Sequence, residues 1–237
     1  MVSLLKVAGF LPYLAIAFLN ASVDLAHKIT IQNVLLKTYD GDILFILTAV
    51  INAMILLPFI FLFSPSSFIN DKFSKTKVIR ICAIFGFIIS VAVLFSYLAG
   101  AFGVAFALTL ILAAQSAIYS PAKYGIIKAL VGPERLGTAN GIIQALTIVA
   151  ILFSSFLFSF IFENLYIQGE NSEEILKSVY PIGIFLVVFS ALEAYFAYKL
   201  PCIDEKDETN ENFDIKKYIR LSYLRENLKE KNYITTD

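Results

Sequence analysis

The sequence predicts an all-α integral membrane protein with six transmembrane helices, and three observations predict it. Of 237 residues, 58% are hydrophobic and only 16% charged, with a mean hydropathy of +0.76. A soluble chain runs nearer half apolar and a quarter charged. The apolar residues gather into six runs, each long enough for the roughly 20 residues that a helix needs to cross a bilayer. None of the runs shows the alternation over about ten residues that marks a barrel strand. The same composition excludes disorder. Two cysteines, Cys82 and Cys202, exclude a disulfide-stapled scaffold. Zero net charge and a pI of about 6.6 supply no basic field for nucleic acid.

The first span covers about 7–36; it is apolar through Leu19 and then punctuated by polar groups. Lys37 to Asp42 turn the chain into a second span, 43–63, which ends in Ser64-Pro65-Ser66-Ser67. A third span, 78–99, is followed by a turn between Gly100 and Gly103 and a fourth span ending near Ser120-Pro121. The fifth, 138–162, leads into a polar loop with Glu163, Glu170, Glu173 and Glu174, and the sixth covers 181–198. Residues 1–200 are therefore read as the bundle and 201–237 as a charged tail. Lys6 precedes an apolar run, as in a signal peptide, but no Ala-x-Ala-like site follows and five more spans do.

Lysine and arginine in the loops set orientation. Sixteen of the 19 fall on the side of the N-terminus, only Lys37 and Lys177 on the other, and Lys28 lies within span one. Both termini are thus expected in the cytoplasm. Trp is absent, so tyrosines near span ends (Tyr39, Tyr119, Tyr124, Tyr166, Tyr180, Tyr198) are expected to form the interfacial belt. In the tail, Ile215, Tyr218, Leu221, Leu224 and Leu228 recur at helical spacing among Lys216, Lys217, Arg220, Arg225 and Lys229. Such a basic amphipathic helix suits the cytoplasmic lipid surface or a partner domain, and both readings stay open.

Polar groups at membrane depth cost several kcal/mol and usually face a bundle interior or an aqueous cavity. Span one carries Asn20, Asp24, Lys28 and Gln32 at steps of four, on one helix face, with His27 beside them. An Asp24–Lys28 pair neutralising itself within one turn is one reading; a stripe lining a polar cavity is the other. Glu193, near the cytoplasmic end of span six, is expected to snorkel or to pair with Lys199. Gln115 and Ser116 in span four, and Gln144 and Thr147 in span five, serve either as helix-to-helix bonds or as lining.

Enzyme chemistry finds no support. His27 has no nucleophile at a recognisable spacing, and the cysteines make no metal motif. There is no Gly-x-Gly-x-x-Gly or Walker loop. Position 32 is Gln32, so the His-x-x-x-x-Asp pair of glycerolipid acyltransferases is missing. No cofactor or metal is implied.

The loop Ser67-Phe68-Ile69-Asn70-Asp71-Lys72-Phe73-Ser74-Lys75-Thr76-Lys77 resembles the Gly-x-x-x-Asp-(Arg/Lys)-x-Gly-(Arg/Lys)-(Arg/Lys) signature of the major facilitator superfamily, with Ser67 and Ser74 in place of its glycines. Ala117-Ile118-Tyr119-Ser120-Pro121-Ala122-Lys123-Tyr124-Gly125-Ile126, then Glu134-Arg135-Leu136 and Ala139-Asn140-Gly141, resemble the loop between spans four and five of bacterial lysophospholipid transporters. Phe18-Leu19-Asn20-Ala21-Ser22-Val23-Asp24 is similar to that family's first-helix pattern, to which His27 and Lys28 are additions.

The resemblance covers about residues 10–200 and implies the N-terminal half of a twelve-helix fold. Each half is a pair of inverted three-helix repeats, and the substrate lies between the halves. Helices one and four line that cavity, which places Asp24 and Gln115 inside it. The implied function is movement of a lysophospholipid into the cytoplasmic leaflet of a bacterial inner membrane. Asp24 would hold an ammonium, with Lys28 or His27 on the phosphate, and Asn20, Gln32 and Gln144 nearby. Asp71, Lys72, Lys75 and Lys77, with Lys123 and Arg135 of the next cytoplasmic loop, would latch the cytoplasmic side. Six spans are half a transporter, so a C-terminal six-helix half or a second copy is the expected partner, and the chain is expected to be a fragment whose tail begins a central loop. The rival function is a module that anchors or presents lysolipid to a cytoplasmic acyltransferase.

Overall fold

The computed structural model describes residues 2–168 and 171–203. A short helix α1 (Val2–Leu5) precedes α2 (Phe10–Thr38), α3 (Gly41–Phe61), α4 (Phe63–Lys72), α5 (Lys75–Ala99) and α6 (Phe102–Val131). After a 3-10 turn at Pro133–Arg135 come α7 (Leu136–Leu165), α8 (Ser172–Ser178) and α9 (Tyr180–Lys199). The six long helices α2, α3, α5, α6, α7 and α9 are each long and apolar enough to cross a membrane, as the sequence predicts. Glu170 and the amphipathic pattern of the tail lie outside the described residues.

Three local predictions are corrected. The segment after span two is helical as α4, whose Asn70 donates to Ser66 O and to Ile118 O of α6. The polar loop before span six contains α8, because the Asn171 side chain accepts the N–H groups of Glu173 and Glu174 and so caps a new helix. Most consequential, α6 does not stop at Ser120-Pro121. Proline removes one N–H from a helix and here frees the carbonyl of Ala117, one turn back. The turns on either side are tied by other bonds: Ser120 Oγ donates to Ser116 O at 2.8 Å, and Tyr13 Oη of α2 donates to Lys123 O at 2.8 Å. Helix continues ten residues past the proline, and Lys123 is a bundle residue rather than a loop residue.

The packing has an internal symmetry. α2 packs on α7 and α9, α6 packs on α3 and α5, and α5 packs on α9. Exchanging the first three spans for the last three (α2 for α6, α3 for α7, α5 for α9) maps this set of contacts onto itself. Three crossings per unit send the second unit through the membrane in the opposite sense, which is the expected inverted repeat.

Two apolar cores fill the bundle. One joins Phe10, Tyr13 and Ile16 of α2 to Val78 and Ile79 of α5, Ile126 and Ile127 of α6, and Ala197 of α9. The other joins Val23, Ile31, Ile89, Val93, Leu108, Phe158 and Ile182 toward the opposite end. In the gap between them, on four different helices, lie the buried Asn20, Ser90, Gln115, Ser116, Ser190 and Glu193. Polar groups at this depth are held by protein, since hydrocarbon offers them nothing.

Where α9 ends, the chain is clasped. Arg80 of α5 donates to Leu200 O at 2.8 Å and to Ala197 O at 3.2 Å, serving carbonyls that a helix C-terminus leaves unpaired. Thr76 Oγ1 donates to Pro201 O and accepts the Ile203 N–H. Gly9, at φ +88°, lies so close to Pro201 that a Cβ there would overlap the ring.

Candidate functional site

α2 and α6 cross at the level of the polar layer, and their side chains build the site. Asp24 Oδ2 accepts from Ser116 Oγ at 2.7 Å, and Asn20 Oδ1 accepts from Lys123 Nζ at 2.7 Å. Beside them a cleft of about 300 Å³ opens between α2, α3, α6 and α7. Asp24, Lys28 and Ser116 supply its charge and polarity; Leu25, Ile55, Phe59, Leu112 and Ile151 supply apolar walls. Asp24 and Lys28 are one turn apart, about 6 Å along the axis, yet no ion pair joins them among the described residues. The self-neutralising reading therefore gives way to two opposite charges presented to a cleft.

Four of the polar side chains predicted to line the cavity stand elsewhere or do something else. His27 touches the cleft but is 1% exposed, and both ring nitrogens are engaged. Nδ1 lies 2.9 Å from Tyr97 Oη of α5, and Nε2 lies 3.1 Å from Ala105 O and from Thr109 Oγ1 of α6. Nε2–H donating to Ala105 O, with Nδ1 accepting the Tyr97 hydroxyl, satisfies this set with a neutral ring. His27 is thereby a three-helix tie with no nitrogen left for a phosphate. Gln115 donates to Cys82 O at 2.9 Å and faces α5, in a second, almost wholly apolar groove of about 560 Å³ between α4, α5 and α6. Gln144 is exposed on α7 and does not line the cleft, and half-buried Gln32 lies above it, likewise outside its lining.

The loop residues also divide. Asp71, Lys72 and Lys77 are exposed, as is Arg135 in its 3-10 turn. The stem of Lys75 lies across Gly125 of α6, where a Cβ would approach its Cε to 2.9 Å, so this lysine fastens the loop between spans two and three onto α6. The helix-terminal carbonyls of α9 are held by Arg80. Lys123 faces inward to Asn20 and belongs to the polar layer.

Sequence reasoning missed two members of that layer. Tyr119, expected in an interfacial belt, is fully buried. Glu193, expected to snorkel toward Lys199, is 3% exposed and lies beside Tyr119 and within electrostatic reach of Lys123 and Asp24. Its position six residues from the end of α9 is compatible with snorkelling in isolation; α9 turns that face onto α2 and α5, so the carboxyl points inward. A sequence signal existed only in part: Glu193 follows Ser190 by three residues on one face, both amid apolar neighbours.

A family model described as Major Facilitator Superfamily matches residues 7–226. No curated protein and no solved structure matches the chain. The match takes in all six spans, and with it the chain belongs to the major facilitator superfamily, a family of multi-pass membrane transporters and not of enzymes.

Proposed function

We propose that the cleft takes a lysophospholipid with a zwitterionic headgroup, such as lysophosphatidylethanolamine, and that the chain is the N-terminal half of a transporter moving it into the cytoplasmic leaflet of a bacterial inner membrane. One observation carries the reading: Asp24 and Lys28 present an anion and a cation one turn apart to a cleft whose other walls are apolar. That pattern complements an ammonium, a phosphate and a single acyl chain, and in a low-dielectric cleft both charges act more strongly than in water. The sequence likeness of residues 117–126 to lysophospholipid transporters points the same way.

A charged face at mid-bundle is too costly to leave against hydrocarbon, so a second six-helix unit is proposed to cover it. α3 and α7, which flank the cleft, are the least buried spans, at 11% and 22% against 56% for α2. Asp71, Lys72 and Lys77 are proposed to latch the cytoplasmic ends of the two units, and residues 201–237 to begin the connection between them.

The test is saturable binding of radiolabelled lysophosphatidylethanolamine to the chain in lipid nanodiscs. Asp24→Asn is expected to weaken it at least about tenfold, or 1.4 kcal/mol, while a lysolipid lacking the amine binds the native chain as weakly as the variant binds the full ligand. Equal binding to native and variant chains removes Asp24 from the site. Binding without transbilayer movement, in vesicles that also hold a C-terminal half, favours the presenting module over the transporter.

A further inference from the structure

Glu193 is not used by the cleft, yet its surroundings are specific. Tyr119 and Lys123 face it from α6, Asp24 and Tyr13 lie on the α2 side, and Cys82 on the α5 side. α7 and α8 meet α9 nearer its opposite end, through contacts such as Phe158 with Phe185 and Phe189. Among the described residues they bring no charged group to Glu193.

Asp24 and Lys28 share the cleft; behind them Glu193 and Lys123 lie within electrostatic reach of one another, yet no ion pair joins them among the described residues. An unpaired buried ion costs several kcal/mol. The hydrogen bonding shows where the compensation is missing. Lys123 Nζ bonds Asn20, and Ser116 bonds Asp24. Glu193 Oε1 and Tyr119 Oη are sealed from solvent and face one another, but neither makes a hydrogen bond of ordinary length and angle. A carboxylate accepts several hydrogen bonds and tolerates a bare buried oxygen poorly; a neutral acid tolerates it far better. A metal cation would need more oxygen ligands than Glu193 and Tyr119 offer, with the Lys123 ammonium repelling it.

We propose that Glu193 is a proton-binding site, a carboxylic acid while Lys123 is held by Asn20 and a carboxylate when Lys123 turns to it. In that exchange the Glu193 O–H bond breaks, the proton passes to water, and the Lys123 ammonium replaces it as the neutralising charge. Tyr119 then turns its hydroxyl to donate to the carboxylate. Lys123 leaves Asn20, four residues before Asp24, so proton loss at α9 alters the polar set beside the cleft. This holds whatever substrate the cleft takes.

Infrared spectroscopy of the full chain reconstituted in ether-linked lipid, which has no ester carbonyl to overlap the acid band, reads the proton directly. At neutral pH exposed carboxylates are ionised, so the native chain is expected to show a carboxylic-acid C=O band. The band is lost completely in Glu193→Gln, which preserves shape and neutrality. It moves but persists in Glu193→Asp, and it remains in Asp24→Asn. Absence of the band from the native chain overturns the proposal. So does a band that survives Glu193→Gln, and so does its loss when potassium is exchanged for sodium, which would make the site a metal-cation site.

Discussion

His27 and Asp24 stand one turn apart on α2, and their surroundings differ in kind. Around His27 each ring nitrogen has a partner, drawn from α5 and α6, and the imidazole is sealed. Around Asp24 the bonding is partial: one hydroxyl reaches one oxygen, a cleft opens beside it, and farther in one Glu193 carboxyl oxygen and the Tyr119 hydroxyl make no hydrogen bond of ordinary geometry. Both residues are polar groups in a membrane helix, and sequence gives them equal claim to function. Saturation separates them: a group whose hydrogen-bonding capacity is filled by the fold holds helices together, while an unfilled group has capacity left for a ligand or a proton.

The sharpest way to break the comparison is to remove the inner cation of the open cluster. Lys123→Ala is expected to cost about 3–5 kcal/mol by depriving the Asp24 carboxylate of that cation and Asn20 of its donor, read as a lower midpoint in a detergent unfolding titration. A cost under about 1 kcal/mol would show that the cluster is neutral without the lysine. His27→Ala is expected to cost about 2–3 kcal/mol, from a cavity and the orphaned Tyr97 hydroxyl. Lysophosphatidylethanolamine affinity per folded molecule should not change; a parallel fall in affinity would put His27 back in the site. The smallest effect is expected for Gln144→Ala, within about 0.5 kcal/mol of the native stability and without change in binding.

The spans were legible because crossing a bilayer is a requirement on composition that each segment meets alone; span six is predicted at 181–198 and observed at Tyr180–Lys199. That Asn20, Asp24 and Lys28 share one face of α2 was legible because steps of four need no knowledge of neighbours; that Gln32, the next step, stands outside the cleft was not. What depends on partners was not. Pro121 reads as a stop, and α6 passes through it, its flanking turns tied by Ser120 and by Tyr13 of α2. Lys123 was consequently taken for a loop residue. Glu193 reads as an acid that snorkels or pairs with Lys199, since the groups that enclose it lie about 70 residues or more away in the chain on other helices. His27 and Gln115 fall on helices that border the cleft, but no local rule reveals that Tyr97 or Cys82 O stands across from them.

The clasp on residues 200–203 has a mechanical meaning. Arg80 and Thr76 tie the segment just past α9 to the first turns of α5, and Gly9 lets Pro201 seat against the entry to α2. A tug arriving along the polypeptide beyond Ile203 is therefore shared among three helices before it can shift α9. The fitting works as a strain relief does on a cable, and it keeps Glu193, seven residues upstream of Leu200, in register whatever is attached.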